Sequence, residues 1–251
     1  MGMYPSSELS PAYRSELQKS AHLLKPEKPT WLPLSTDPEK LHDDPTGECF
    51  ESFRARLVLW FSTLEIARIL RAYVFSRSGH REQFRKGTGE RFFNHPRSVA
   101  ISILDEFRIH DVDILCVALL HDIKEDAFLL DSTIIALVFG NEVMHAVNVL
   151  TKDASIAKGH YFTRMVSEGG WKALLVKLCD RIHNLRTLEG LPRHKRAEQV
   201  EETRREFPAV LDALRRVIPE EHRAVVRQLE TLLFDLCDLQ DRLLSLLETR
   251  G

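Results

Sequence analysis

What most limits the folds open to this chain is where its prolines fall relative to its apolar residues. Of 11 prolines, seven (Pro5, Pro11, Pro26, Pro29, Pro33, Pro38 and Pro45) lie before residue 50. Each removes a backbone donor and disfavours helix in the residue before it. Residues 1–47 therefore read as an irregular arm with a short helix near 11–24, and Trp31, Leu32 and Leu34 are its candidates for pinning it to the body. From residue 48 onward apolar residues recur at spacings of three and four, as buried helix faces require. No stretch shows strand-like alternation, and there is no internal repeat. The expected architecture is all-α, with one helical domain over residues 48–251: a motif-bearing core at about 55–190, then C-terminal helices over 193–248.

Local signals place the helices. Phe53, Leu57, Trp60, Phe61, Leu64, Ala67, Leu70 and Val74 predict one buried face. Pro96 suits the start of a helix, and Val99, Ala100, Ile103, Leu104 and Phe107 supply the next stripe. Asp111 or Asp113 can cap the run Ile114–Leu120; Asp131, Ser132 or Thr133 can cap Ile134–Phe139, which Gly140 ends. Helices over Glu142–Leu150, Tyr161–Val166 and Trp171–Leu188 follow. Pro192, Pro208 and Pro219 punctuate the last third. Val225, Val226, Leu229, Leu232, Leu233, Leu236, Leu239, Leu243 and Leu246 form a long stripe, for packing on the chain's own core or, as a second reading, on a partner. A homo-oligomer would form through this C-terminal helix or the N-terminal arm.

Composition closes off several functions. The formal charge of −2 gives no chain-wide attraction to nucleic acid, so any polyanion must meet a local basic patch. No run approaches the roughly 18 apolar residues of a membrane span. Met1-Gly2-Met3-Tyr4-Pro5 lacks the basic and apolar regions of a secretory signal. Cys49, Cys116, Cys179 and Cys237 lie far apart, which points to a reducing compartment and away from a structural zinc site. A cytoplasmic protein is expected.

Four short segments carry chemistry. His121-Asp122-Ile123-Lys124-Glu125-Asp126 follows an apolar run that should bury its helix and fix its polar end. Helical spacing brings Glu125 and Asp126 to the side of the His-Asp pair. Histidine plus carboxylate suits a fairly hard divalent ion such as Mn²⁺ or Fe²⁺ better than a thiolate site does. His95 precedes Pro96 at a helix start. Asp180 lies beside a core-facing stripe, where a carboxylate is costly unless it ligates a metal or pairs with Lys177, Arg181 or Arg186. The segment from His80 to Glu90, with Arg85, Lys86 and Gly87, is a basic loop suited to phosphates and bases.

In order, His80…Gln83-Phe84-Arg85-Lys86…Asn94-His95-Pro96, then His121-Asp122-x-x-Glu125-Asp126, then Val176-Lys177-Leu178-x-Asp180-Arg181-x-His183-Asn184-x-Arg186-Thr187-Leu188, the chain resembles the hydrolase domain of the RelA/SpoT homologues. These are HD-superfamily enzymes that degrade the alarmones ppGpp and pppGpp, and the likeness covers about residues 55–190. It implies a single HD-domain helical bundle. It also implies Mn²⁺ held by His95, His121, Asp122 and Asp180, and an attacking water activated by Glu125 and Asp126. A nucleotide would be received by Arg85, Lys86, Asn184 and Thr187, with Tyr161 and Arg181 as further contacts. The small-molecule nucleotide would lose its 3′-pyrophosphate. At 251 residues the chain leaves no room for the synthetase and regulatory domains of long RelA/SpoT proteins, so a stand-alone small alarmone hydrolase is expected.

The sequence departs from the family pattern in its loop: Arg91-Phe92 stands where Pro-Tyr is usual, and Ala127 follows Asp126 in place of threonine. These changes touch substrate fit more than metal binding. Two other readings follow: an HD phosphohydrolase acting on another nucleotide, ppApp or NADPH, and an antitoxin-like partner module that uses this hydrolase activity. His183 is expected to be structural, on a face turned away from the metal, and His80 to cap or orient the basic loop.

Overall fold

The computed structural model describes residues 10–24, 49–126, 131–152 and 158–248. Among these, the α-helices in chain order are α1 (Pro11–Lys19), α2 (Ala21–Leu24), α3 (Phe50–Val58), α4 (Thr63–Gly79), α5 (Asn94–Ile101), α6 (Val112–Leu120), α7 (Ile123–Asp126), α8 (Ser132–Phe139), α9 (Asn141–Leu150), α10 (Lys158–Glu168), α11 (Trp171–Arg186), α12 (Arg193–Val217) and α13 (Arg223–Glu248). No strand occurs among the described residues; an isolated antiparallel bridge joins Phe84 to Arg91. No described helix is long and apolar enough to cross a membrane.

Two helices form the centre. In α6 every residue from Ile114 to Leu120 is buried, so the helix is apolar all round and lies wholly inside the bundle. The Asp111 side chain starts it by accepting from the Ile114 amide at 2.9 Å, which selects Asp111 over Asp113 as the cap. α11 is buried continuously from Lys172 to Ile182, although that stretch includes Lys177, Asp180 and Arg181. Around α6 pack α4, α5, α9 and α11, while α12 and α13 pack on each other and on α11. Each fully buried Leu, Ile or Val in this centre contributes about 1.5–3 kcal/mol relative to exposure. That supply of apolar burial supports the ionic groups carried on α11.

Several boundaries differ from the sequence reading. The stripe from Phe53 to Val74 is split into α3 and α4, because Ser62 and Glu65 form a reciprocal capping box that starts a new helix; the Ser62 amide donates to Glu65 Oε2 at 2.8 Å. As a result Trp60, Leu64 and Val74 are exposed, Leu64 to 84%. Pro208 does not punctuate anything: it lies inside the 25-residue α12. Its ring is on the exposed face, while Phe207, Val210, Leu211 and Leu214 hold the inner face. A π-helical turn, Ser102–Glu106, extends α5 and has no sequence signal that periodicity detects.

The described part of the N-terminal arm is helical and docked. Tyr13 is fully buried against Leu239 and Leu243 of α13. Its hydroxyl accepts from Arg196 Nη2 at 2.9 Å. Trp31, Leu32 and Leu34 lie outside the described residues. The long C-terminal stripe is buried within the chain itself, with Leu229, Leu233, Leu236, Leu239 and Leu243 all inside.

Candidate metal centre and substrate pocket

The ends of two helices and the middle of a third meet at one polar point. α5 contributes His95 from its first turn, the C-terminal end of α6 contributes His121 and Asp122, and the middle of α11 contributes Asp180. Both imidazoles are buried, at 2% and 3% exposure. His95, His121 and Asp122 present ligand atoms all within 4.8 Å of one another. His95 Nε2 lies 3.0 Å from Asp180 Oδ1 and 3.6 Å from Asp122 Oδ2. His121 Nε2 lies 3.2 Å from Asp122 Oδ2 and 3.8 Å from Asp180 Oδ1.

The donor set fits a divalent cation. Nδ1 of His121 is 2.8 Å from the Ala118 carbonyl, which can only accept, so that nitrogen carries a proton and Nε2 is the ring atom turned toward the carboxylates, where a cation would take the place of its proton. This Nε2 is buried and makes no hydrogen bond. Two imidazoles and two carboxylates, with no cysteine among them, match a hard-to-intermediate ion rather than a thiolate-preferring one. Burial, then the nearby Arg85 charge, pushes the pKa of His95 down to about 4. Burial also opposes charge on His121, but Asp122 and Asp180 outweigh it and push its pKa up to about 10. Asp122 and Asp180 are themselves held below the usual carboxylate range despite burial, Asp122 by His121 and Asp180 chiefly by Lys177. The pair of carboxylates thus favours positive charge between the two rings.

Lys177 Nζ donates to Asp180 Oδ2 at 3.0 Å and Asn184 Nδ2 donates to Asp180 Oδ1 at 2.6 Å, so the carboxylate is held from both sides along α11. From Asn184 the network continues outward. Arg85 Nη2 donates to Asn184 Oδ1 at 2.9 Å and to Thr187 Oγ1 at 3.1 Å. Arg85, Lys86, Asn184 and Thr187 line a pocket of about 470 Å³ whose apolar walls are Phe84, Phe92, Leu188 and Leu191.

The basic loop is a short hairpin set against the end of α11. Its amide–carbonyl bonds run Arg85 to Glu90 and Phe92 to Gln83, each at 2.9 Å. His80 ends α4 and lies 2.7 Å through Nδ1 from Gln83 Oε1. At its tip Gly87 meets Gly190: a Cβ on Gly190 would lie 2.2 Å from the Gly87 carbonyl oxygen, so two backbones touch where only glycine fits.

Two residues expected at the nucleotide are not brought to this pocket. Arg181 is buried and turned toward α12, where it pairs with Glu202, bonds Gln199 and lies 4.7 Å over the Phe207 ring. Tyr161 is buried, and its hydroxyl donates to the Leu150 carbonyl at 2.9 Å. Glu125 and Asp126 sit on α7, but their side chains lie outside the described residues. That short helix is anchored by buried Ile123 and by Lys124 Nζ, which donates to Ser132 Oγ at 2.9 Å and Asn148 Oδ1 at 2.6 Å.

His183, expected on a face turned away from the metal, instead adjoins the His/Asp cluster: its Nδ1 lies 2.8 Å from Nδ1 of His95. The available signal was its spacing, three residues after Asp180 and therefore on the same side of α11. Gln199, which lines the pocket from α12, had no signal beyond proximity after folding.

A His/Asp cluster at the junction of buried helices, joined through Asn184 to a basic pocket, defines a metal-dependent helical domain. The chain belongs to the HD-domain family, in its RelA/SpoT-homologue branch; the family model described as HD domain matches residues 72–215. It is 36% identical over 148 residues to the human guanosine-3′,5′-bis(diphosphate) 3′-pyrophosphohydrolase MESH1, covering 55% of this chain and 81% of that protein. It is also 36% identical over 147 residues to a GTP pyrophosphokinase of Myxococcus xanthus, covering 54% of this chain and 19% of that protein. The chain thus spans about a fifth of the length of such long relatives. A solved structure described as a metazoan ortholog of SpoT that hydrolyzes ppGpp is similar with a TM-score of 0.53 and 25% identity, covering 65% of this chain and 93% of that one.

Proposed function

We propose that the chain is a (p)ppGpp 3′-pyrophosphohydrolase that uses Mn²⁺ and converts ppGpp or pppGpp to GDP or GTP plus pyrophosphate. One observation carries the reading: the buried His95–His121–Asp122–Asp180 cluster is joined through Asn184 to Arg85 in the adjoining pocket. A nucleotide whose phosphates meet the cluster would rest its sugar and base against that pocket. The similarity to MESH1 supports the same substrate class.

His95, His121, Asp122 and Asp180 would hold the metal. When bound, a divalent ion there supplies charge stabilisation for a phosphoryl group and lowers the pKa of water. Glu125 and Asp126 accept the proton of the attacking water, whose oxygen forms a bond to the phosphorus on the ribose 3′ oxygen. The bond between that phosphorus and the 3′ oxygen breaks, and the leaving oxygen takes up a proton to become the 3′ hydroxyl. Arg85 and Lys86 offset the phosphate charge, and Asn184 and Thr187 orient the sugar side once Arg85 turns to the substrate. The four free cysteines suit a reducing, cytoplasmic setting.

The test is pyrophosphate release from ppGpp, pppGpp, ppApp and NADPH by purified protein with Mn²⁺, Mg²⁺ or Zn²⁺ after chelation. Pyrophosphate from the guanosine alarmones, strongest with Mn²⁺, is expected. No pyrophosphate from any alarmone refutes the reading, and phosphate from NADPH alone would move the enzyme to a different substrate.

A further inference from the structure

The two ring ligands of the centre are held by different kinds of partner. His121 Nδ1 faces the Ala118 carbonyl, an acceptor that fixes a single tautomer. His95 Nδ1 faces another imidazole nitrogen, Nδ1 of His183, at 2.8 Å. Two such nitrogens at that distance share one proton: one ring donates and the other must accept. The choice decides what His95 offers on its far side. With the proton on His95 Nδ1, its Nε2 presents a lone pair toward Asp122 and Asp180. With the proton on His183 Nδ1, His95 carries its own on Nε2 and donates to Asp180 Oδ1, 3.0 Å away.

We infer that His183 is a positioning residue of the metal centre, accepting the Nδ1 proton of His95 so that His95 Nε2 is left to ligate. The inference rests on the reading of His95 as a metal ligand. It follows from the contact and from the burial of His95, which is 2% exposed, so that water does not compete for its Nδ1. An imidazole serves here where a carbonyl would not, because it accepts in one tautomer and donates in the other. His95 therefore keeps its Nδ1 hydrogen bond whether Nε2 ligates a cation or donates to Asp180. His183 is itself set by α11, whose next turn returns to its carbonyl: Thr187 Oγ1 donates to the His183 oxygen at 3.0 Å. The helix that supplies Asp180 thus also orients a ligand supplied by α5.

Metal titration of the full chain by calorimetry, after chelation, tests this with Mn²⁺ as the probe. His183→Phe keeps a ring of similar size and removes the acceptor, so Mn²⁺ affinity should fall about 10–100-fold, as loss of an outer-sphere partner does. His183→Asn restores an acceptor near the Nδ1 position and should recover most of that loss. Equal Mn²⁺ affinity in wild type and His183→Phe overturns the inference; no Mn²⁺ binding by the wild type instead overturns the metal reading beneath it. A measurement on unaltered protein covers the case in which a variant does not fold. Nitrogen-15 correlation spectra of the histidine rings, with Zn²⁺ as a diamagnetic probe, should show His95 protonated on Nδ1 and His183 on Nε2. The opposite assignment overturns the inference.

Discussion

The metal end and the basic loop meet at Asn184, yet they are built in opposite ways. At the metal end, Asp180 sits in a continuously buried stretch of α11 and is bonded from two sides, while His95 and His121 are each held through Nδ1. The loop is a hairpin with few amide–carbonyl bonds, an exposed Phe84 and a tip that depends on two touching glycines. The difference separates two duties. On the proposed reading, atoms that would hold a cation are locked by the core, and atoms that would select a nucleotide are placed where their geometry can change at small cost to the fold.

The sharpest way to break this contrast is at the rigid end. Asp180→Ala removes a ligand and leaves Lys177 buried without its anion; metal content by elemental analysis should fall to background and turnover with it. A variant that keeps its metal would show that Asp180 serves only to pair with Lys177. Next in size is Glu125→Ala, which should lower kcat about 10²–10⁴-fold, the range for removing a general base, with metal content unchanged. Normal turnover would remove Glu125 from the mechanism. Arg85→Ala acts on the loop side: kcat/KM for ppGpp should fall about 10²-fold, while calorimetry finds Mn²⁺ affinity unaltered. If Arg85→Ala weakens the metal instead, the two ends are one unit and the contrast fails. The smallest effect belongs to Gly190→Ala, which pushes the loop away from α11. The strain should cost about 1–3 kcal/mol of stability and raise KM several-fold with little change in kcat, as melting curves and steady-state kinetics would record.

The rigid end was also the more legible in sequence. The apolar run into His121, the Asp111 cap and the stop at Gly140 are local signals, and the structure realises each of them. His121-Asp122 stood out at the end of an apolar run and Asp180 beside a core-facing stripe, the resemblance to the RelA/SpoT hydrolases joined His95 to them, and folding brings those four together. What could not be read depends on partners far along the chain. Arg181 adjoins Asp180, but one residue along a helix turns the side chain about 100°, toward Glu202 on α12. Pro208 looked like a break because the apolar burial that carries α12 past it is tertiary. The division between α3 and α4 was within reach, since Ser62-x-x-Glu65 is a capping-box pattern that outranks a continuing stripe.

The docking of α1 has a consequence for the order in which the molecule can assemble. Its buried Tyr13 packs on Leu239 and Leu243, its Glu16 accepts from Arg242 at 2.8 Å, and the partner of the Tyr13 hydroxyl is Arg196. Gln240 ties the same knot to the centre, accepting from Arg196 and donating to the Leu185 carbonyl of α11. α1, which precedes α13 in the chain, thus finds its packing surface only once α13 is present. Closing so long a loop is slow compared with the local contacts of α4 to α11. Among the described helices α1 should therefore be one of the last to become native, as the seal on a core already formed.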